Sequence, residues 1–284
     1  MDNQATVRNA ERLAAKIRRD VVRMIGCLGQ TGHLGGACSC ADIVAALYGG
    51  RMRFRAGDPS WSGRDKFLFS KGHAAFAQYA AMAETGYFPL EELWNVKQLG
   101  SMLQGHPDRL RTPGIEAGTG SLGQGLSIAV GMAMAMRLDG NDDGKVYCVM
   151  GDGEMAEGQI WEAAMAAAHY KLHHLVGIVD QNGLQATGRV EERLNTYPLT
   201  AKWSGFGWNA LETDGHDMRA LLDALDQAGR HQAGPTVIIA GTVKGKGVSF
   251  AEYQAAFHNA ALSRVQYDTA IAELDRVIAD LSAV

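Results

Sequence analysis

The feature that most constrains the fold of this chain is a pair of apolar segments that each end in a short polar motif. Residues 145–150 lead into Gly151-Asp152-Gly153, and residues 175–179 lead into Asp180-Gln181-Asn182. A segment with helical patterning separates the two, as in a strand–helix–strand unit with parallel strands. Because ligands of such sheets bind beyond the carboxyl ends of the strands, we expect Asp152 and Asn182 to lie together at a binding edge.

The residue types at this edge predict a metal ion and a diphosphate. Asp152 and Asn182 offer the hard oxygen ligands that Mg²⁺ takes alongside phosphate oxygens, and Ca²⁺ accepts the same ligands. Gly151 and Gly153 leave their backbone amides accessible to an anion, because glycine has no side chain to shield them.

The rest of the chain shows the same alternation of apolar strands and helices. No linker, internal repeat or low-complexity segment interrupts it, so we expect one domain over residues 1–284. The predicted fold class is α/β, with a mostly parallel sheet and helices on both faces. The predicted strands are 67–69, 145–150, 174–180, 208–212 and 235–241. The predicted helices are 13–28, 41–48, 74–85, 125–138, 157–170, 217–230 and 267–281, and residues 100–125 are predicted to form a long loop.

Composition and charge argue against several classes of partner. The net charge is −4 and no basic run exceeds Lys16-Ile17-Arg18-Arg19, so we expect neither nucleic acid nor an anionic membrane to bind. The longest apolar stretch, residues 126–136, is too short to span a bilayer. The charged N-terminus lacks the apolar core of a signal peptide, so the expected location is cytoplasmic.

The cysteines do not form the framework of a disulfide-stabilised fold; they are Cys27, Cys38, Cys40 and Cys148. Cys38 and Cys40 form a pair of a kind that metal or redox sites use, but no second cluster of Cys or His lies near them in the sequence. Buried thiols in a reducing compartment are the favoured interpretation.

Four histidines lie in turns flanked by glycine or aromatic residues: His33, His73, His106 and His258. Taken singly, each has the character of a hydrogen-bonded structural histidine. Together they predict a site that handles protons and anionic oxygens near neutral pH. The remaining histidines near a helix end are predicted to be solvated or to cap that helix; they are His169, His173 and His174.

Residues 118–123 match the dinucleotide-binding pattern G-x-G-x-x-G. That pattern indicates a nicotinamide cofactor only when it follows a strand, and here a polar loop with Thr112-Pro113-Gly114 precedes it. We interpret these glycines instead as a place where the backbone lies flat against a ligand.

Because these motifs occur in a particular order, the chain resembles the N-terminal, cofactor-binding half of transketolase over nearly its whole length. The resemblance implies a thiamine-diphosphate-binding fold. The motifs that support it are Gly32-His33, Ser70-Lys71-Gly72-His73-Ala74, Gly105-His106-Pro107, Gly120-Ser121-Leu122-Gly123-Gln124-Gly125, Gly151-Asp152-Gly153-Glu154, Glu157-Gly158, Asp180-Gln181-Asn182, Asp214-Gly215-His216-Asp217 and Val243-Lys244-Gly245-Lys246-Gly247.

The resemblance implies a role for each matching residue. The implied metal ligands are Asp152, Asn182 and the main-chain oxygen of Leu184. The implied diphosphate ligands are the amide of Gly153 and the side chains of His73, Lys244 and His258. Gly123 would lie along the aminopyrimidine, and Glu157 looks like the carboxylate that reaches across the subunit interface. The residues that would face the sugar are His33, His106 and His258, of which His33 and His258 would also move protons.

The chain departs from the family pattern at a few positions. Phe257-His258-Asn259 stands where the family usually has Trp-His-Gly, which weakens the alignment of His258. Gln181 and Thr187 replace the more usual Asn or Tyr and Asp in the metal loop, although Asn182 is present. Ser121 replaces a usual Pro.

The resemblance also implies that half of the active site comes from elsewhere. In transketolase the glutamate that activates the cofactor, the aromatic pocket for the pyrimidine and the arginines for the sugar phosphate belong to a second domain. That domain would begin where this chain ends, at Val284. The chain therefore resembles one half of a split transketolase, active with a C-terminal subunit that carries the pyrimidine-binding domain. A dimer of halves and a heterotetramer are both compatible with the sequence.

The implied reaction moves a two-carbon ketol unit from a ketose phosphate to an aldose phosphate, as in the pentose phosphate pathway. Ketol transfer or decarboxylation on a specialised pathway sugar is an alternative, because the residues that select the substrate lie largely on the other half. A non-catalytic half that binds a partner, and a Mg²⁺-dependent phosphate-binding protein unrelated to thiamine, are further alternatives. The intact set Asp152, Asn182, His33, His73 and His106 argues against a non-catalytic half.

Overall fold

A five-stranded parallel sheet forms the centre of the protein in a computed structural model that describes residues 4–27, 29, 31–141 and 143–283. The strands are β1 (Lys66–Phe69), β2 (Val146–Gly151), β3 (Leu175–Gln181), β4 (Leu184–Gln185), β5 (Gly188–Arg189), β6 (Asn209–Asp214) and β7 (Thr236–Gly241). The order in the sheet is β1-β2-β3-β7-β6, and β4 and β5 form a separate antiparallel hairpin.

Helices connect the strands and cover both faces of the sheet. They are α1 (Gln4–Cys27), α2 (Leu34–Ser39), α3 (Ala41–Ala46), α4 (Ala75–Glu84), α5 (Gln124–Leu138), α6 (Gly158–His169), α7 (Val190–Arg193), α8 (Leu199–Gly205), α9 (Met218–Arg230) and α10 (Arg264–Ser282). Shorter helical turns lie at Leu47–Arg51, Gly72–Ala74, Leu90–Asn95, Gly153–Ala156 and Ala255–His258.

Alternate side chains of each strand enter two separate apolar cores. Phe67, Phe69 and Val149 point to the face covered by α1, α3, α4 and α9, whereas Leu68 and Cys148 point to the face covered by α5, α6 and α8. Successive strand residues point to opposite faces, so strands buried on both faces must be apolar throughout. The predicted parallel α/β class with helices on both faces is confirmed.

The register of the sheet brings the two polar motifs to one edge. Gly151 is level with Asp180, and Gln181 is level with Gly241. Asp152, Asn182 and Lys244 therefore leave three neighbouring strands at the same carboxyl edge, as the sequence predicted.

Most predicted elements lie within a few residues of the observed ones, and the differences have physical causes. Helix α2 was not predicted, because its six residues are too few for a periodic pattern. Helix α10 begins at Arg264 because Ser263 and Gln266 form a capping box. Leu28, at the predicted end of the first helix, lies outside the described residues.

Two predictions about polar and thiol groups have different outcomes. His174 is fully buried, so the prediction that it is solvated is wrong; it lies in the short connection into the buried strand β3. Cys38, Cys40 and Cys148 are buried free thiols, as expected, and burial raises the pKa of Cys38 and Cys40 to about 12. No helix of the described residues is long and apolar enough to cross a membrane.

Candidate active site

A cavity of about 600 Å³ opens at the carboxyl edge of the sheet. Nearly all of the predicted site residues line it: His33, His73, His106, Asp152, Gly153, Glu157, Asn182, Leu184, Lys244 and His258. They come from segments far apart in the chain, and the fold brings them to one place.

Gly123 does not line the cavity but contacts a residue that does. It has φ +85° immediately before α5, and a Cβ there would lie 2.9 Å from the Cβ of Glu157. Its amide donates to the Glu154 carboxylate at 2.8 Å. Only glycine meets both the backbone conformation and the close approach.

Asp152 is the central residue of the predicted metal site, which is formed by Asp152, Asn182 and the Leu184 carbonyl and is called the metal corner below. Its carboxylate accepts hydrogen bonds from the amides of Gly153 and Gly183 at 2.8 and 2.6 Å, and from the Tyr197 hydroxyl at 2.8 Å. These donors are all neutral, and Asp152 is only 1% exposed. Burial raises the pKa of Asp152, partly offset by these hydrogen bonds, so its anionic form lacks compensation that a cation would supply.

Asn182 lies beside Asp152 in an orientation set by its neighbours. Its Nδ2 donates to Asp180 Oδ2 at 3.0 Å, and its Oδ1 accepts from the Leu184 amide at 3.1 Å. The Leu184 carbonyl accepts from Lys244 Nζ at 2.9 Å. Asp152, Asn182 and Leu184 all line the cavity, and their carboxylate, amide and carbonyl oxygens make up an all-oxygen set that suits Mg²⁺ or Ca²⁺. Among the described residues, no group of three or more His, Cys, Asp or Glu side chains could hold a metal ion.

A buried ion pair forms the floor beneath this corner. Asp180 accepts from Lys71 Nζ, Ser39 Oγ and Thr242 Oγ1, and Lys71 also donates to the Gly36 carbonyl at 2.8 Å. Burial alone would raise the pKa of Asp180, but the Lys71 charge and the hydrogen bonds from Lys71, Ser39 and Thr242 together outweigh it and hold that pKa below its usual range. Sequence reasoning assigned no role to this pair, although both residues stand inside motifs that it singled out.

Glu154 is a second functional residue that the sequence analysis did not assign. Its buried carboxylate accepts from Ser70 Oγ, from the Gly123 amide at 2.8 Å and from the Gly151 amide at 3.1 Å. It therefore joins the ends of β1 and β2 to the loop before α5. Burial raises the pKa of Glu154. Its place directly after Gly-Asp-Gly was the only local signal.

The four turn histidines form one cluster. The His33 ring centroid lies 5.0 Å from that of His73, 6.1 Å from that of His106 and 5.3 Å from that of His258. Gly32 pairs with Ala260 in an isolated bridge, which holds the His33 and His258 segments together. Despite its unusual flanking residues, His258 lies in the cavity.

Partial burial favours the neutral form of these histidines. Burial, with smaller effects of neighbouring His and Lys side chains, lowers the pKa of His33 and of His258 to about 4, and it lowers those of His73 and His106 as well. Neutral imidazoles each offer one donor and one acceptor, which suits the binding of hydroxyl and carbonyl groups.

Lys244 is a buried cation between the metal corner and the histidines. Its Nζ contacts His258 Nδ1 at 3.0 Å as well as the Leu184 carbonyl. Burial, and then the charge of Lys71, lowers the pKa of Lys244 to about 8. Because burial removes water from the Lys244 ammonium, an anionic ligand next to Nζ would stabilise its charged form.

Gly120 of the G-x-G-x-x-G segment and Gly72 of the His73 turn each allow a close packing contact. A Cβ on Gly120 would lie 2.9 Å from His106 Cδ2, and a Cβ on Gly72 would lie 2.5 Å from the Thr119 carbonyl oxygen. The absence of these Cβ atoms lets the His73 and His106 loops approach the same cavity.

Fold and site together define an α/β enzyme domain of the kind that binds a diphosphate cofactor at the carboxyl edge of its sheet. Residues 10–274 match the family model described as "Transketolase, thiamine diphosphate binding domain". The chain therefore belongs to the transketolase family of thiamine-diphosphate-dependent transferases. The predicted family, the class of enzyme and thiamine diphosphate as the cofactor are confirmed.

Two relatives match the chain along almost their whole length. One is the 6-deoxy-6-sulfo-D-fructose transketolase subunit SqwG of Clostridium sp. (strain MSTE9), 44% identical over 92% of this chain and 94% of the relative. Another is one of the subunits of the apulose-4-phosphate transketolase of Phocaeicola vulgatus, 39% identical over 97% of both chains.

Longer transketolases match over less than half of their length. The solved structure of transketolase from Leishmania mexicana has a TM-score of 0.84 and 29% identity, and the match covers 98% of this chain but 45% of that one. Rattus norvegicus transketolase is 40% identical over 86% of this chain and 38% of its own length.

Proposed function

We propose that this chain is the cofactor-binding subunit of a split transketolase and that it acts with a C-terminal subunit carrying the pyrimidine-binding domain. The observation that supports this most directly is the share of each relative's length that the chain covers. The two relatives that it spans almost completely are named as transketolase subunits, whereas it covers 45% of the Leishmania mexicana enzyme. Residues 1–284 would form a single pyrophosphate- and metal-binding domain.

The cofactor would be held by the residues that converge at the metal corner. Asp152, Asn182 and the Leu184 carbonyl would bind Mg²⁺, or Ca²⁺, because they supply an all-oxygen set around a buried carboxylate with only neutral donors. The diphosphate would be bound by Gly153, His73, Lys244 and His258, and Gly123 would lie along the aminopyrimidine. Bound thiamine diphosphate supplies the nucleophile and electron sink for cleaving a carbon–carbon bond.

The sugar would be oriented by His33, His106 and His258. All three line the cavity, and burial lowers their pKa values, so they are neutral at pH 7 and can each donate and accept one hydrogen bond. His33 and His258 would hold and move protons at the hydroxyl and carbonyl oxygens of the sugar.

The exposed face of α5 and α6 is proposed as the contact with a second copy of this chain. Glu157, at the start of α6, is exposed at the mouth of the cavity, where it would reach across that contact. Large apolar side chains are exposed on the same two helices or directly after them: Leu138, Met165 and Tyr170. Two copies with two partner subunits would form a heterotetramer.

The substrates are proposed to be an anionic ketose donor and an aldose acceptor. The named relatives act on a sulfonated sugar and on a sugar phosphate, which favours a specialised pathway sugar over those of the pentose phosphate pathway. A cytoplasmic location belongs to the same proposal, because the buried free thiols Cys38, Cys40 and Cys148 suit a reducing compartment.

A pull-down from the native host tests the split assembly. The tagged chain would be isolated with Mg²⁺ and thiamine diphosphate present, and ketol transfer would be assayed on a panel of ketose phosphates and a 6-sulfo ketose. We expect a partner of similar size in near-equal amount, with transfer only in the mixture. Transfer by the isolated chain would show that it builds the whole site itself, and the Asp152→Asn chain controls for activity carried over from the host.

A further inference from the structure

His216 connects a buried ion pair to the segment that follows β7. Its Nδ1 lies 2.7 Å from Asp42 Oδ2, and its Nε2 accepts the Val243 amide at 2.8 Å. Asp42 is also held by both terminal nitrogens of the Arg18 guanidinium. The contacts thus run from α1 through α3 to the residue directly before Lys244.

The partners of His216 determine where its proton lies. Although burial raises the pKa of Asp42, the Arg18 charge and the hydrogen bonds from His216 and Arg18 outweigh it and hold that pKa below its usual range. An ionised carboxylate only accepts, so Nδ1 must carry the proton. A backbone amide only donates, so Nε2 must be free. His216 is therefore a neutral imidazole with its proton on Nδ1.

Hydrogen bonds anchor the segment that presents Lys244 on both sides. Before Lys244, the Thr242 amide donates to the Gln181 carbonyl at 3.0 Å, Thr242 Oγ1 donates to Asp180, and the Val243 amide donates to His216. After it, the Gly245 amide donates to the Gly35 carbonyl at 3.0 Å, and the Lys244 carbonyl accepts from the Tyr253 amide at 3.0 Å. Packing before His216 is close, since a Cβ on Gly215 would lie 2.4 Å from Thr242 Cγ2. On the side of Lys244 that leads back to β7, the hydrogen bond from Val243 to His216 is the anchor nearest to Lys244.

We infer that His216 is a positioning residue for the diphosphate of the cofactor, acting through Val243 on Lys244. This inference rests on the proposed role of Lys244 as a diphosphate ligand. Lys244 must hold its ammonium between Leu184 and His258, and a backbone free to shift at Val243 would spread that ammonium over several positions. His216 itself contacts neither cofactor nor substrate.

Two amide variants separate positioning from a general contribution to stability. The amide of glutamine reaches as far as Nε2, so His216→Gln keeps an acceptor for the Val243 amide. The amide of asparagine reaches only as far as Nδ1, so His216→Asn keeps the contact with Asp42 and loses that acceptor. Loss of one such hydrogen bond should weaken binding of thiamine diphosphate by roughly three- to tenfold.

The test measures calorimetric binding of thiamine diphosphate with Mg²⁺ in the assembly with the partner subunit, and hydrogen exchange over residues 242–246 in the full chain, for the wild type and both variants. We expect His216→Asn to bind more weakly and exchange faster, and His216→Gln to stay near wild type. Equal behaviour of the two variants would overturn the inference. If the wild-type assembly does not bind the cofactor, the proposed function fails, whereas the exchange comparison still decides the role of His216.

A spectroscopic measurement on the wild-type chain covers the case in which a variant does not fold. In ¹⁵N-labelled protein, a coupling through the hydrogen bond should connect the Val243 amide nitrogen to His216 Nε2, and the imidazole shifts should report a proton on Nδ1. A proton on Nε2 would contradict the positioning role.

Discussion

Lys71 and Asp180 form an ion pair inside the protein, with side-chain exposures of 2% and 0%. The same Asp180 oxygen that accepts from Lys71 accepts from Asn182 Nδ2, so the pair sets the orientation of a predicted metal ligand. A structural ion pair and the candidate active site therefore share one carboxylate.

Lys71→Met should destabilise the fold and disturb the metal corner together. Removing one partner leaves an uncompensated buried charge, which costs about 3–5 kcal/mol of unfolding free energy. Lys71→Met combined with Asp180→Asn should recover part of that loss. Urea unfolding of the four proteins measures the coupling between the residues, and additive losses would show that the pair is not coupled.

Asp152→Asn should abolish metal-dependent retention of the cofactor while leaving the fold intact. Changes to groups that only orient metal ligands cost roughly 10- to 100-fold in affinity, so loss of a ligand should cost at least as much. The unfolding free energy should not fall, because burial already disfavours the charged form of Asp152. Calorimetric titration with Mg²⁺ and thiamine diphosphate is the measurement, and wild-type affinity would remove the metal assignment.

His106→Ala should lower turnover and spare the cofactor, whereas His73→Ala should weaken cofactor binding. Both rings line the cavity, and His73 is the more deeply placed, next to Lys71 and His258. Loss of one hydrogen bond to a charged group, or to a charge that develops during the reaction, should lower the cofactor affinity or the rate roughly 10- to 100-fold. Cofactor affinity and saturated rate should be measured on both variants in the active assembly. If His106→Ala mainly loosens the cofactor, its proposed contact with the sugar is wrong.

The histidine cluster should make stability depend on pH. The folded-state pKa values of His33 and His258 are about 4, below the unfolded value of about 6.5, so the unfolded chain takes up protons first as the pH falls. Stability should be full above pH 6.5 and be lost between about pH 6.5 and 4, by at most about 1.4 kcal/mol per pH unit for each histidine. Urea unfolding across this range should give a shallower slope for His258→Gln, and an unchanged slope for the exposed control His169→Gln.

Gly123→Ala should be far more costly than Gly158→Ala. Gly123 has φ +85° and no room beside Glu157, whereas a Cβ on Gly158 would meet nothing within 4 Å. The left-handed backbone alone costs an alanine about 1–2 kcal/mol, and the displaced Glu157 should also weaken the proposed contact between copies of the chain. Thermal unfolding and sedimentation of both variants compare the two effects. Equal behaviour would show that the loop before α5 relaxes without penalty.

Sequence patterns were sufficient to predict the parallel sheet and most of the residues that line the cavity. Buried parallel strands must be apolar on both faces, and polar ligands must follow directly after them, so Asp152 and Asn182 were recognisable from their neighbours alone. Turn histidines between glycines were likewise visible as local exceptions to an apolar pattern.

Other parts of the site had no local signal. Tyr197, whose hydroxyl donates to Asp152, lies in the irregular segment between α7 and α8, and only the fold brings it to the metal corner. His216 lies in a motif that the sequence shows, but its two partners are 174 and 27 residues away in the chain, so only the fold reveals its contacts.

The sequence by itself determined the class of fold, the family and the types of group at the cavity, because periodicity and short motifs are properties of neighbouring residues. Only the tertiary structure decided which buried charges are paired and which are not. Lys71 pairs with Asp180, while Asp152 has neutral donors and Lys244 faces the cavity. The cost of burying a charge depends on partners distant in sequence, so this distinction, on which the chemistry rests, follows from the packing.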